Sequence, residues 1–219
     1  MSIFEMLAQE HEDQSFCGIT VGIVSDIKDP EKKNRVKVRL LNRTDSLQET
    51  DYIRVMTPMA GKDYGAFFLP EVGDEVLVGF VDGDFTAPYV LGSLYNAKAP
   101  GPGKVEEGKN QLRTIKSKTG HLMEWNDGEE APGLTLKTAG ESALSMNDKE
   151  KTIALTDKDG ANLLKIDIGG GTVTLEAKTK LVLKCGGASI ELDGSGNQIT
   201  IKSNESGAPT VNATGGVSD

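Results

Sequence analysis

The stretch Leu134-Thr-Leu-Lys-Thr-Ala-Gly-Glu-Ser-Ala-Leu-Ser-Met146 places two apolar pairs, Leu134/Leu136 and Leu144/Met146, on either side of a Gly-centred turn. Side chains two apart share one face of a strand, so each pair predicts a short strand with a single apolar side. The pattern continues as Ile153/Leu155, Leu164/Ile166, Val173/Leu175, Leu181/Leu183, Ile190/Leu192 and Ile199/Ile201. From first member to first member the steps are 10, 9, 11, 9, 8, 9 and 9 residues, and Gly or Asp-Gly marks most gaps. Residues 112–202 are therefore an internal repeat of short strands and tight turns. Two inward residues per strand cannot give one chain a sizeable core. Neighbouring copies must supply the other walls, and a prism of several chains with the pairs aimed at its axis meets that need. Ten such strands, stacked at ~4.8 Å, would make a needle roughly 50 Å long.

Composition divides the chain in the same way. Of the eleven aromatic residues, ten lie in residues 1–95 and only Trp125 comes later, whereas eighteen of the 26 glycines lie in residues 100–219. The first half is expected to be a compact domain with large core residues. Within residues 17–97, Arg35–Leu41 alternates with Val36, Val38 and Leu40 inward, Ile53 and Val55 share a face, and so do Val76, Val78 and Phe80. Ile19–Ile27 and Pro88–Tyr95 supply two further strands, with turn chemistry at Asp29-Pro30, Gly61-Lys62, Gly73-Asp74 and Asp82-Gly83. Five or six strands in about 80 residues suit a small closed barrel, which removes exposed sheet edges. Pro100, Gly101, Pro102 and Gly103 mark a linker over 98–111. Residues 1–16 are an N-terminal extension; Ser2 with Glu5 fits a capping box and Ile3, Met6 and Leu7 share one face, predicting a short helix over 2–13. The small, polar tail 204–219 has a flexible composition.

Net charge is −9, divided as −6 over residues 1–99 and −3 over the rest, so neither half has the basic footprint that nucleic acid or anionic lipid requires. No run approaches 18 apolar residues, and the N-terminus lacks the basic n-region of a secretory signal, which predicts synthesis in the cytoplasm. Cys17 and Cys185 lie in different halves and read as free thiols.

The order of barrel, Pro/Gly linker and strand repeat resembles the phage baseplate assembly protein V family and the related VgrG spikes of contractile injection systems. The resemblance spans residues 17 to about 203. It is carried by Gly22-Ile-Val-Ser-Asp-Ile, Asn34-Arg-Val-Lys-Val-Arg-Leu, Phe68-Leu-Pro-Glu-Val-Gly-Asp-Glu-Val, Pro88-Tyr-Val-Leu-Gly-Ser-Leu-Tyr-Asn and Lys118-Thr-Gly-His-Leu-Met-Glu-Trp. It implies an all-β chain: an oligonucleotide/oligosaccharide-binding (OB) barrel, then a trimeric intertwined β-helix over 112–203 whose core is the eight pairs quoted above. It also implies a homotrimer docked under a separate trimeric hub, assembled into the baseplate of a phage tail or phage tail-like particle, with only transient contact with the target envelope. Some relatives carry a lysozyme domain between barrel and needle, but the linker here leaves no room for one. Some needles end in a His-x-His iron site. This sequence has no histidine after His121, so no metal or cofactor is expected and a separate PAAR-type tip protein is.

Other motifs have plainer readings. His11 and His121 sit in separate elements, and no catalytic constellation is expected. Asp157-Lys-Asp-Gly lacks the later ligands of a calcium loop, since positions five and twelve are Ala161 and Ile168. Gly169-Gly-Gly precedes a strand and is not a phosphate loop. Lys28, Lys32, Lys33, Arg35, Lys37, Arg39 and Arg43 form a basic stretch best read as a solvated face, with docking to an acidic hub surface next and no specific nucleic acid expected. The alternative for the whole chain is a trimeric carbohydrate- or receptor-binding fibre with an OB-type head.

Overall fold

The computed structural model describes residues 18–44 and 48–203. The helix expected over 2–13 and the tail 204–219 lie outside them. The described residues are all β apart from one 3-10 turn at Val81–Gly83, and the chain divides into two compact units between Gly101 and Pro102.

The first unit contains β1 (Ile19–Asp26), β2 (Lys37–Leu40), β3 (Arg54–Val55), β4 (Ala60–Gly61), β5 (Tyr64–Gly65), β6 (Glu75–Phe80) and β7 (Pro88–Leu94). Five strands form one sheet in the order β2-β1-β6-β7-β3, antiparallel except for the parallel β3–β7 pair. The residues leading into β3 then bond back to β2. Thr50 N–H donates to the Val38 carbonyl at 2.9 Å, and Val36 and Ile53 exchange two backbone bonds of 3.0 and 2.8 Å. The ring closes as a five-stranded barrel, and β4–β5 is a small hairpin on the excursion between β3 and β6.

The barrel core is Val24, Val36, Val38, Leu40, Ile53, Val76, Val78 and Val90. The alternation predicted for β2 and β6 is thus observed. The expectation that aromatics fill the core is corrected: among the described residues no aromatic side chain is buried, and Tyr64, Phe67, Phe68 and Tyr95 are exposed. Eight aliphatic side chains, six of them Val, fill the narrow interior of so small a barrel. Phe80 only packs against the core's edge.

The loop from β1 to β2 is organised by Asp29, whose side chain is 3% exposed. Its carboxylate accepts the backbone N–H groups of Glu31 at 3.1 Å and Lys33 at 2.9 Å, and a fork from Arg35 Nε and Nη2 at 2.9 and 2.8 Å. The Arg35 fork, aided by the backbone donors, holds the carboxyl well below the usual carboxylate range. A group depressed in this way contributes stability above the ordinary carboxylate pKa of about 3.9 and loses it as pH falls toward the folded value. Asp29→Asn is therefore expected to lower the urea midpoint at pH 7, with the gap from the parent chain closing below about pH 4. A gap independent of pH would contradict the ion-pair account. On the same barrel wall the Tyr52 hydroxyl donates to Asp26 Oδ2 at 2.7 Å, which pushes the phenol up to about 12.

The second unit is a meander. The strands β8 (Leu112–Lys116), β9 (Leu122–Asn126), β10 (Gly133–Lys137), β11 (Ala143–Asn147), β12 (Thr152–Thr156), β13 (Leu163–Asp167) and β14 (Thr172–Glu176) form one antiparallel sheet in which every strand pairs only with its sequence neighbours. A second meander holds β15 (Lys180–Cys185), β16 (Ala188–Asp193) and β17 (Gln198–Lys202). Ten strands were expected and ten are observed, but in this single chain they are not one stack. The ladder is interrupted at Ala177-Lys178-Thr179, where Lys178 N–H donates to Asn162 Oδ1 at 3.1 Å and the Thr179 carbonyl accepts Gly194 N–H at 3.0 Å.

Candidate functional site

Antiparallel register decides which side chains of the meander lie side by side. Leu136 faces Leu144, Leu144 faces Leu155, Leu155 faces Leu164 and Leu164 faces Leu175. A second row runs Leu134, Met146, Ile153, Ile166, Val173. In the smaller sheet Leu181 faces Leu192, which faces Ile199, and Leu183 faces Ile190, which faces Ile201. The register thus gathers all sixteen paired positions into continuous apolar rows within their sheets.

The rows continue where the sequence reading placed no site residue. Met123 faces Leu136 and Ile115, and Trp125 faces Leu134 and Arg113. Met123 and Trp125 are themselves an apolar pair two apart, eleven residues before Leu134/Leu136, so the repeat's own spacing identifies them. The row ends at Arg113, whose Nη1 pairs with Asp127 at 2.6 Å.

The opposite face carries Thr114, Glu124, Thr135, Ser145, Ala154, Lys165 and Thr174. Exposure is inverted relative to a protein surface. Leu134, Leu136, Leu144, Met146 and Leu155 are exposed, Leu155 at 53%, while Thr135 and Ser145 on the other face are half-buried. Among the described residues no hydrophobic side chain of this unit is buried within its own chain. An apolar strip seven strands long, about 30 Å at the usual strand spacing, far exceeds the scattered apolar exposure of a monomer's surface. What such a face can do is associate: covering each half-exposed leucine contributes on the order of 1 kcal/mol.

The turns between strands have structural roles. Asp157 accepts Ala161 N–H at 2.8 Å, and Asp167 Oδ1 accepts Gly170 N–H at 2.7 Å, so Asp157-Lys-Asp-Gly and Gly169-Gly-Gly close hairpins, as expected. His121 Nδ1 accepts Ala139 N–H at 3.3 Å. Among the described residues there is no group of three or more His, Cys, Asp or Glu side chains placed to hold a metal ion.

On the barrel, the basic stretch is largely tied to local partners. Arg35 pairs with Asp29 and Glu31, Lys33 with Glu31 and Lys37 with Glu49, while Arg43 stacks over Phe85 at 4.8 Å. The exposed aromatics Tyr64, Phe67 and Phe68 lie elsewhere, on the β3–β6 excursion, where they border a groove of about 580 Å³ with Met56 and Met59.

The decisive likeness falls on the barrel. Residues 20–95 match the family model of the type VI secretion system/phage-baseplate injector OB domain. The matched span includes the parallel β3–β7 pair and the Pro70-Glu-Val-Gly-Asp-Glu-Val block that leads into β6. The chain is also similar to the type VI secretion system spike protein VgrG1a of Pseudomonas aeruginosa, 34% identical over 98 residues, a match covering 42% of this chain and 15% of that protein. Its similarity to VgrG2a of the same organism is 42% over 69 residues, covering 32% and 8%. To VgrG3 of Vibrio cholerae it is 28% over 117 residues, covering 53% and 11%. The chain thus spans between 8% and 15% of the length of these three relatives.

Proposed function

We propose that this chain is the central spike of a contractile tail or injection-system baseplate. Its role is structural and mechanical, not enzymatic. The observation that carries the reading is the continuous apolar face attached in one chain to an injector OB domain. Residues 17–97 form the barrel, 98–111 the linker and 112–203 the stem. Three copies turn the rows from Leu134/Leu136 to Ile199/Ile201 toward a common axis, where leucines, isoleucines and valines cover one another and the threonine and serine face meets solvent. The two sheets of each chain become walls of one intertwined β-helix. The injector OB domains gather under a trimeric hub, a PAAR-type protein caps the far end, and contraction drives the assembly through the target envelope with no specific nucleic acid involved. The particle assembles from chains made in the cytoplasm.

Light scattering of the purified full chain is expected to give three times 23.3 kDa, unchanged on hundredfold dilution from about 10 μM. A monomer at that concentration would remove the spike reading. The groove edged by Tyr64, Phe67 and Phe68 favours a second reading, a trimeric carbohydrate- or receptor-binding fibre with an OB-type head. Glycan-array binding that disappears on Phe67→Ala with Phe68→Ala would establish it, and its absence on the array would remove it.

A further inference from the structure

Two backbone edges of the stem lie open in the middle of the repeat. β14 bonds only to β13 and β15 only to β16, although just Ala177, Lys178 and Thr179 separate β14 from β15. The two strands are not a hairpin. Every other connection between consecutive strands of this unit has a residue with positive φ at or beside its turn, among them Glu141, Lys151, Gly171, Gly186 and Asn197, and residues 177–179 have none. Lys178 N–H donates to Asn162 Oδ1 at 3.1 Å, so the chain still runs beside the start of β13 there. One residue later the Thr179 carbonyl accepts Gly194 N–H at 3.0 Å, in line with the Lys180–Asp193 pair of the smaller sheet. The chain thus passes from one sheet into the other without reversing. Val173 and Leu181 are eight residues apart, as are Leu175 and Leu183, an even spacing that keeps both pairs on one side of an extended chain. An unreversed chain does not lay its own β15 along β14, so both edges stay available to a strand from elsewhere.

We infer that β14 of one chain pairs in parallel with β15 of a second copy. The inference rests on the spike reading, since it needs several chains about one axis. There each chain leaves one wall at Lys178 and enters the next at Thr179, still running the same way round the axis. The strand that enters a wall therefore runs parallel to the β14 it meets, and three such head-to-tail joints close a ring. The edges fit. β14 has five residues, all exposed, and β15 has six. Setting Val173 beside Leu181 of the partner subunit places Leu175 beside Leu183 of the partner subunit, and both apolar rows then run on from the larger sheet into the smaller. The same register sets Glu176 beside Lys184 of the partner subunit, an acid against a base. Both residues are exposed in the single chain, and neither enters an ion pair among the described residues. The joint gives the copies a shared backbone ladder in addition to an apolar core.

Cross-linking of the full chain tests it. In a Cys17→Ser/Cys185→Ser background, Thr174→Cys with Val182→Cys puts two thiols on the face opposite the leucines. Within one chain they are eight residues apart, up to about 27 Å when extended. Across the joint they are neighbours at about 5 Å. A short bis-maleimide is expected to give bands of two and three chain masses on a denaturing gel, while Thr174→Cys alone or Val182→Cys alone gives none. Light scattering of the untreated variant is read alongside. A trimer that yields only the monomer band, linked within the chain or unlinked, would overturn the inference and leave the spike reading standing. A link between chains carrying a single cysteine would mean that like edges meet, which overturns it too. A monomeric parent chain removes both. Should the double variant alone lose its trimer, Thr172→Cys with Lys180→Cys, one step back along the same ladder, reads the same joint.

Discussion

Leu155→Asp is expected to convert the assembled chain to a monomer. Leu155 lies mid-sheet, with Leu144 on one flank and Leu164 on the other, so a change there is felt along the whole row. In a threefold assembly each carboxylate meets its two symmetry copies as well as those leucines. Every chain loses roughly 2 kcal/mol of apolar burial and takes on the desolvation cost of a charge with no partner, which is larger. Light scattering should fall from three chain masses to one. Two controls separate this from general damage: Leu155→Met, which keeps volume and polarity, and Ser145→Asp, which puts the same charge on the opposite face of the neighbouring strand. Both should retain the parent mass. Dissociation of Ser145→Asp, or an intact trimer of Leu155→Asp, would mean that the leucine face is not the one that is covered.

The second large effect belongs to the barrel. Gly22 sits opposite Leu40 on β2 and Val76 on β6. A Cβ there would lie 2.3 Å from Val38 Cγ1 and 3.0 Å from the Arg39 carbonyl oxygen. The first contact is with a core side chain and the second with backbone, so neither can move aside cheaply. Gly22→Val is expected to destabilise the barrel by about 3 kcal/mol, the upper range for overpacking. For a domain of this size that lowers the melting midpoint by roughly 15 °C. Calorimetry on the full chain reads the shift, and hydrogen exchange in β1 and β6 assigns it to the barrel. A midpoint within about 3 °C of the parent would show that the β1–β2 ladder can open to admit the side chain.

How much of this was legible before the structure depended on the kind of interaction. The repeat was readable because its signal is local: two apolar residues two apart, a turn, and again. The observed register then sets the eight pairs into rows within their two sheets. Met123 and Trp125 obey the same spacing but were passed over, because the aromatic ring interrupts the aliphatic pattern. The barrel's strands were equally visible through alternation, whereas its aromatics misled. Aromatic content signals burial only where the interior is wide enough, and a five-stranded interior is filled by valines. Asp29 was legible only as a turn residue, since the partners of its carboxylate are three backbone N–H groups and an arginine side chain six residues on. The interruption at Ala177-Lys178-Thr179 was also silent, because those residues carry neither the Gly nor the Pro that usually announces a break.

The strict neighbour order of the meander has a consequence for how such chains can vary. Each strand bonds only to the strand before and the strand after it, and no side-chain row depends on a distant partner. Removing or duplicating two consecutive strands with their turns, about twenty residues, restores the same up-and-down alternation and returns each leucine row to its own side. The unit of change is then the hairpin, and length becomes a count of hairpins, each adding about 10 Å. A lineage can lengthen or shorten this part of the molecule in fixed increments while leaving the barrel, and whatever the barrel holds, untouched.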